Sequence, residues 1–143
     1  MTEPTRTDTP LDPAGVAVRK HLLGDEYFES SIKNQTAFDA EWQAFVTNQV
    51  FGRTWARGIL EHQQLSLINL GMLAGLGRLE EFELHFRVAL NRTKVPLIQL
   101  REILLHITMY CGVPIGRDCF AIARRVLKEE NIDLSVLDEQ KKG

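Results

Sequence analysis

Apolar positions recur along most of this chain at the spacing of a helix rather than that of a strand. In "TAFDAEWQAFVTNQVFG" they fall at Phe38, Trp42, Phe45, Val46 and Val50, close to the period of an α-helix. No segment alternates apolar and polar residues over the length of a strand. The pattern therefore predicts an all-α fold, a single-domain helical bundle of about seven helices.

Residues with known capping preferences mark the ends of the predicted helices. Asp12 is a suitable N-cap with Pro13 in the first helical position, and Gly24 can end the helix that they open. Thr36, with Asp39 three residues later, resembles a capping box and predicts the start of a further helix.

The length of 143 residues suits one domain. Residues 1–12 are rich in Thr and Pro, have little to bury and are expected to form a flexible N-terminal arm. Residues 13–131 carry the helical pattern and form the predicted domain. Residues 132–143 are expected to fray as a C-terminal tail.

Three consecutive helices are predicted from Gln63 to Leu76, Leu79 to Asn91 and Leu97 to Cys111. The first is apolar on all sides, as expected of a central buried helix. The third, "LREILLHITMYCG", carries apolar residues around most of its circumference, more than one core-facing stripe requires. Because a monomer of this size could not bury all of this surface, we expect an obligate homo-oligomer.

The overall composition argues against several kinds of partner. A formal net charge of −2 offers no electrostatic basis for binding nucleic acid or acidic membranes. No window has the apolar length of a transmembrane helix, and the N-terminus lacks the apolar region of a signal peptide. Cys111 and Cys119 have neither CxxC nor zinc-knuckle spacing. A cytoplasmic protein with reduced cysteines is therefore expected.

The segment "LGRLEEFELHFRVAL" brings Arg78, Glu81 and His85 together at the start of a predicted helix. His85 lies about 40° around that helix from Glu81, and Arg78 about 20° further. A carboxylate beside a His at the edge of a core can adjust the imidazole pKa, as general acid–base catalysis requires. The alternative is a solvated pair that adds roughly a few tenths of a kcal/mol to helix stability, and spacing alone favours that alternative.

Two further groups are candidates for binding a ligand. His106 stands one helical turn before Tyr110, and the favoured interpretation is a core His bonded to a backbone carbonyl with Tyr110 packed beneath it. Arg53 and Arg57 flank Trp55 in a predicted loop. There they could hold a carboxylate bidentately or lie solvated around a core Trp.

The remaining histidines predict no metal site. His21 and His62 have the character of surface or helix-end residues, and no two histidines have HxxxH or HExxH spacing. The sequence also contains no GxSxG elbow, phosphate loop or dinucleotide fingerprint.

Three short motifs, "GRLEEFELH", "LREILLH" and "YCGVP", follow one another in this order. Together with the sequence from Val18 to Leu127, they resemble the carboxymuconolactone decarboxylase family of the alkylhydroperoxidase-D-like superfamily. Each motif is weak alone, but the ordered set is specific. The resemblance implies an all-α, alkylhydroperoxidase-D-like domain over residues 13–131 that assembles as a homo-oligomer, typically a trimer or hexamer.

The resemblance also separates two branches of the superfamily. Thiol peroxidases carry a CxxC pair ahead of a His, and the corresponding positions here hold Arg78 and Glu81, so thiol peroxidase activity is not expected. The decarboxylase branch removes CO2 from a lactone carboxylic acid without a cofactor or metal. It implies His85 as proton donor, Glu81 as the group that orients it, and Arg57 or Arg78 as the anion clamp. The candidate substrate-binding residues are Arg57, Arg78, Trp55, His106 and Tyr110.

The sequence departs from the family in two places. Gln64-Leu65-Ser66 stands where bacterial members usually have a Thr-Arg-Ser-like segment, and "WARGIL" stands for the WxRPG loop. Replacement of a cation by Leu65 implies a substrate that is less acidic, or larger and more apolar, than carboxymuconolactone. An aromatic or polyketide carboxylic acid of specialised metabolism would fit. Isomerisation or cyclisation in the same pocket and a non-catalytic oligomeric scaffold remain alternatives.

Overall fold

The computed structural model describes residues 9–139, and this part of the chain contains helices and no strand. The all-α prediction is therefore confirmed. The chain divides into two compact units, one ending at His62 and the other beginning at Gln63. The predictions for residues 1–8 of the arm and 140–143 of the tail lie outside the described residues.

The first unit, between Thr9 and His62, is built from short helices. They are α1 (Pro13–Leu23), α2 (Asp25–Lys33), α3 (Ala40–Phe45), a π-helix (Val46–Phe51) and a 3₁₀ turn (Trp55–Arg57). As predicted, the Asp12 side chain accepts a hydrogen bond from the Ala14 N–H at 3.0 Å, Pro13 opens α1 and Gly24 ends it.

The single helix predicted to begin near Thr36 is wrong. The Asp39 carboxylate does accept a hydrogen bond from the Thr36 N–H at 2.7 Å, but the residues after Thr36 form a turn and α3 begins only at Ala40. Further on, the helix widens into the π-helix, where the Thr47 carbonyl oxygen lies so close to α1 that a Cβ on Gly15 would come within 2.1 Å of it. The contact between α1 and the π-helix therefore requires glycine.

The apolar positions of this segment are mostly not buried within the first unit. Phe38 is 98% exposed, and Trp42, Phe45 and Val50 are exposed as well. The buried side chains of the segment are instead Ala40, Gln43, Ala44, Thr47 and Phe51. The helical period thus predicted helices here, but it did not predict which face is buried.

An arginine lies in the interior of the first unit. Arg19 is only 3% exposed, and its Nη1 donates to the Thr47 hydroxyl at 3.0 Å. The rings of Phe28 and Phe51 lie 5.5 and 6.0 Å from its guanidinium carbon, which stabilises the cation. Burial lowers the pKa of Arg19.

The second unit, from Gln63 onward, holds the larger core. Its helices are α4, which begins at the preceding residue (His62–Gly75), α5 (Leu79–Asn91), α6 (Leu97–Cys111), α7 (Val113–Glu129) and the one-turn α8 (Val136–Glu139). The predicted bounds of α5 and α6 are confirmed. The buried side chains of this core include Leu70, Phe82, Phe86, Leu100, Leu104, Ile107 and Val126.

Two helices of this unit keep apolar side chains on the surface. On α4 the buried positions are Ser66, Leu70 and Ala74, whereas Met72 is exposed. The prediction that α4 is buried on all sides is therefore wrong within the single chain. On α6, Met109 is 82% exposed. No helix within residues 9–139 is both long and apolar enough to cross a bilayer.

Candidate active site

The candidate site begins at the turn between α4 and α5. Gly77 has a φ of 72°. The Arg78 N–H donates to the Leu73 carbonyl at 2.9 Å, and the Gly77 N–H donates to the Ala74 carbonyl at 3.0 Å. These two bonds form a Schellman motif, which uses a glycine because a side chain is strained at this φ. The motif ends α4 and places Arg78 directly ahead of α5.

Arg78 and Glu81 form an ion pair on the first turn of α5. Arg78 Nη2 lies 2.6 Å from Glu81 Oε1, and both side chains reach solvent. The hydrogen bond from Arg78 lowers the pKa of Glu81, and the same bond raises the pKa of Arg78. Because an exposed pair adds little to stability, its main effect is to hold both charges near the start of the helix.

His85 lies one turn further along α5 and is half-buried. Its Nδ1 is buried and has no hydrogen-bond partner within residues 9–139. Burial lowers the pKa of His85, and the negative charge of Glu81 opposes this shift. The imidazole is therefore neutral at pH 7. Glu81 acts on it by charge, since its carboxylate is bonded to Arg78.

The neighbours of His85 on α5 fix its position. Phe82 and Phe86 are fully buried, and their stacked rings lie 6.2 Å apart between centroids. They hold the inner face of α5 in the core and leave His85 at its edge. A buried imidazole nitrogen without a partner is uncommon and marks His85 as a candidate functional residue.

The prediction that His106 is a core residue is wrong. His106 and Tyr110 are both exposed on α6, outside the face that buries Leu100, Leu104 and Ile107. Their rings contact each other at 4.8 Å between centroids. Among the described residues, no hydrogen bond or ring contact joins this pair to the histidine on α5.

The Trp55 group belongs to the first unit. Trp55 is buried, whereas Arg53 and Arg57 are exposed on either side of it. His62 Nε2 lies 2.9 Å from the Trp55 carbonyl oxygen, and the two rings meet edge to face at 5.5 Å. Trp55 therefore packs in the core of its unit, and Arg57 is the group that reaches solvent.

One buried polar cluster was not predicted. Ser66 Oγ and Thr93 Oγ1 lie 2.8 Å apart, both in buried side chains. The Gln63 side-chain amide donates to the carbonyls of Thr93 and Lys94 at 3.0 and 2.9 Å. The sequence signal for this cluster is the position of Ser66 on α4, one helical turn before the buried Leu70 and therefore on the same face.

The cysteines form no disulfide with each other, and the described range contains no metal-binding group. Cys111 and Cys119 are free thiols, and burial raises the pKa of Cys119 to about 11, which keeps that thiol protonated. Within residues 9–139, no group of three His, Cys, Asp or Glu side chains is arranged to hold a metal ion.

Comparison with known proteins assigns the chain to a family. Residues 40–125 match the carboxymuconolactone decarboxylase family. The chain is 34% identical over 115 residues to nitrosuccinic acid decarboxylase from Metarhizium robertsii, covering 80% of each protein. It is 30% identical over 118 residues to 4-carboxymuconolactone decarboxylase from Acinetobacter baylyi, covering 82% of this chain and 87% of that protein. This all-α protein belongs to the carboxymuconolactone decarboxylase family, as the sequence motifs predicted.

Every candidate site residue lies within the matched range: Trp55, Arg57, Arg78, Glu81, His85, His106 and Tyr110. Both relatives are decarboxylases. The family comparison therefore agrees with the branch that lacks the CxxC pair.

Proposed function

We propose that this protein is a cofactor-independent decarboxylase, a carbon–carbon lyase that releases CO2 from a small carboxylic acid. The observation that carries the proposal is the half-buried His85, whose Nδ1 has no partner within residues 9–139 and which lies one turn from the Arg78–Glu81 ion pair. The two decarboxylase relatives support the same reaction. They give less support to isomerisation, cyclisation or a scaffold without activity.

Decarboxylation breaks the bond between the carboxylate and its carbon and leaves an electron pair on that carbon. An adjacent electron-accepting group, such as an unsaturated lactone or a nitro group, can delocalise the pair until a proton arrives. We assign this proton transfer to His85. Its imidazole is neutral before substrate binds, and the negative charge of a bound carboxylate would raise its pKa, so that it can take up a proton and deliver it to carbon.

The charged neighbours have separate roles in this proposal. Glu81 stabilises the imidazolium form of His85 by charge. Arg78 or Arg57 holds the substrate anion or the negative charge that develops on its accepting group. His106 and Tyr110, both exposed on α6, are the proposed contacts to the body of the substrate, whereas Trp55 is buried in its own unit.

A departure from the family bears on the kind of acid that this protein uses. Leu65, half-buried on α4, stands where bacterial members usually have a cation. We propose that the substrate is less acidic, or larger and more apolar, than carboxymuconolactone, as an aromatic or polyketide acid would be. The two relatives act on different acids, so family membership alone does not specify this one.

We further propose that the protein works in the cytoplasm as a homo-oligomer, a trimer or hexamer. Its exposed apolar side chains support this assembly, because surfaces such as those at Phe38 and Met109 are usually covered by a partner.

The proposed activity can be tested directly. The protein, treated with a chelator, is incubated with lactone, aromatic and nitro carboxylic acids, including carboxymuconolactone and nitrosuccinic acid, and CO2 release is followed. We expect at least one acid to lose one equivalent of CO2 faster than in buffer, with a large loss of rate in His85→Gln. No CO2 release from any of these acids by the folded protein would favour the scaffold alternative.

A further inference from the structure

We propose that Asn48 is a positioning residue for the turn Trp55–Arg57. Its side chain ties residues 9–12, which we call the N-terminal strap, to the π-helix, and this tie fixes the turn that carries Arg57. The inference rests on the proposed function, in which Arg57 is a candidate clamp for the substrate anion. All of these residues belong to the first unit.

The tie is a pair of hydrogen bonds made by one side-chain amide. Asn48 Oδ1 accepts from the Asp12 N–H at 2.7 Å, and Asn48 Nδ2 donates to the Pro10 carbonyl at 2.9 Å. A longer bond, from the Thr9 hydroxyl to the Glu41 carboxylate at 3.3 Å, joins the strap to α3. The amide thus satisfies a donor and an acceptor of a backbone segment that lies outside any helix.

Asp12 connects this tie to α1 and to the end of the π-helix. Its Oδ1 accepts from the Ala14 N–H at 3.0 Å and so caps α1. Its Oδ2 lies so close to Gly52, the residue after the π-helix, that a Cβ there would come within 2.5 Å of it. Because Asn48 holds the backbone of Asp12, it also holds this carboxylate against both elements.

The backbone between the π-helix and the turn is held by successive hydrogen bonds. The Gly52 N–H donates to the Thr47 carbonyl. The Thr54 hydroxyl donates to the Val50 carbonyl, and the Arg57 N–H donates to the Thr54 carbonyl at 3.2 Å. In addition, α1 packs against the turn itself. A change in the position of the π-helix should therefore move the turn and the exposed guanidinium of Arg57 with it.

The strap lies on the surface, where its release need not disturb the core. Pro10 is exposed, and open grooves of about 310 and 380 Å³ border Asn48, one lined by Phe45 and the other by Arg53. Asn48 itself is only half-buried. Since π-helices occur frequently at functional sites, we assign the tie to the position of the turn rather than to the stability of the unit.

Hydrogen exchange tests the tie without a substrate. The full-length wild-type protein, Asn48→Ala and the control Gln49→Ala are compared residue by residue by NMR. Gln49 is exposed on the same π-helix, and its side chain makes no hydrogen bond to the strap among the described residues. In Asn48→Ala we expect the amides of Gly52 and Arg57 to exchange about tenfold faster. Gln49→Ala should leave both amides unchanged, and the amides of α5 should be unaffected in either variant.

Kinetics then test whether the turn acts on the substrate. With an acid that the protein decarboxylates, Asn48→Ala should raise KM about tenfold and change kcat by less than about twofold, because an anion clamp binds substrate and transition state alike. Arg57→Gln should also raise KM. Adding Asn48→Ala to Arg57→Gln should cause no further increase, since both changes act through one guanidinium group. Gln49→Ala should keep the KM of the wild-type protein.

Three results would overturn the proposal. The first is unchanged exchange of the Arg57 amide in Asn48→Ala. The second is faster exchange throughout the first unit of that variant, which would assign Asn48 to general stability. The third is a KM that is unchanged in Arg57→Gln or that rises further in the double variant. If no acid is decarboxylated, the proposed function fails, and the exchange of the Arg57 amide still decides whether the tie fixes the turn.

Discussion

His85 is subject to two opposing effects. Burial favours the neutral imidazole, while the charge of Glu81 favours the protonated one. Its pKa therefore depends on small changes in the local charge, and the arrival of a carboxylate is such a change. The role of His85 can therefore be tested by measuring both the rate of CO2 release and the free energy of unfolding.

Replacing His85 by Gln should lower the rate of CO2 release by about 10²–10⁴-fold, the usual contribution of a positioned acid or base. Gln is polar and of similar length, so the helical fold should persist in circular dichroism. Glu81→Gln should have a smaller effect, because Glu81 acts on His85 only by charge. His21→Gln, at an exposed position of α1, is the control and should keep full activity.

His106→Gln separates the two histidines of the second unit. Because His106 is exposed, the free energy of unfolding should change by no more than about 0.5 kcal/mol. Loss of turnover in folded His106→Gln, together with full activity in His85→Gln, would show that proton transfer is assigned to the wrong histidine.

Folding stability should also depend on His85 in weakly acidic solution. The pKa of His85 is lowered in the folded protein below its ordinary value of 6.5, so between these two values the unfolded chain binds more protons. The resulting stabilisation is present above pH 6.5 and is lost as the pH falls through the lower, folded pKa.

We therefore expect urea unfolding to give a lower free energy at about pH 5.5 than at about pH 7.5, with a smaller decrease in His85→Gln. The carboxylates of Glu83 and Glu129 titrate below their ordinary value of 4.5 and contribute little in this window. An equal decrease in the wild-type protein and His85→Gln would contradict the shift assigned to this imidazole.

At the scale of the elements, two glycines allow a matched test of the turn before the site. Apart from the adjacent backbone, no atom of residues 9–139 lies within 4 Å of the position that a Cβ would take on Gly71 or Gly77. Gly71 lies inside α4, whereas Gly77 has a φ of 72° in the Schellman motif. An added methyl group therefore acts through the backbone alone at both positions.

Gly71→Ala should raise the free energy of unfolding by about 0.5–1 kcal/mol, because alanine favours the helix. Gly77→Ala should lower it by about 1–2 kcal/mol, because a side chain is strained in the left-handed region. Urea denaturation of the two variants checks both signs. A stabilised Gly77→Ala would contradict the left-handed backbone conformation of this glycine.

The elements also show which features a sequence can predict. The bounds of α5 and α6 follow from local signals, namely Gly77, Pro96, Gly112 and the apolar period between them. The π-helix could not be predicted, because it depends on the contact of Gly15 with the Thr47 carbonyl, which is distant in sequence.

The candidate site also combines features that the sequence predicts with features that it does not. The helical period places Arg78, Glu81 and His85 on one side of α5, and the ion pair follows from their spacing. The exposure of His106 and the bond between Ser66 and Thr93 depend on which face of each helix meets the core. An apolar helix has several faces that could pack against the core, so its sequence pattern does not predict which of them is buried.

For the whole molecule, the exposed apolar side chains matter most. On α6, Leu105 and Met109 are exposed one turn apart, and Tyr110 is exposed beside them. Leu100, Leu104 and Ile107 already bury the other side of the same helix. The outer face of α6 is thus a candidate contact between copies of the chain.

Light scattering in dilute buffer should give a mass of at least three times the 16.3 kDa of one chain. Met109→Glu should shift the protein to smaller species, because a charge on an apolar interface must be desolvated when copies associate. Since Met109 is 82% exposed in the single chain, its replacement should leave the helix content unchanged. Gln99→Glu introduces the same side chain at an exposed polar position of α6 and should keep the mass of the wild-type protein. A stable, folded monomer of the wild-type chain would contradict the proposed assembly, and an unchanged mass in Met109→Glu would place the contact on another surface.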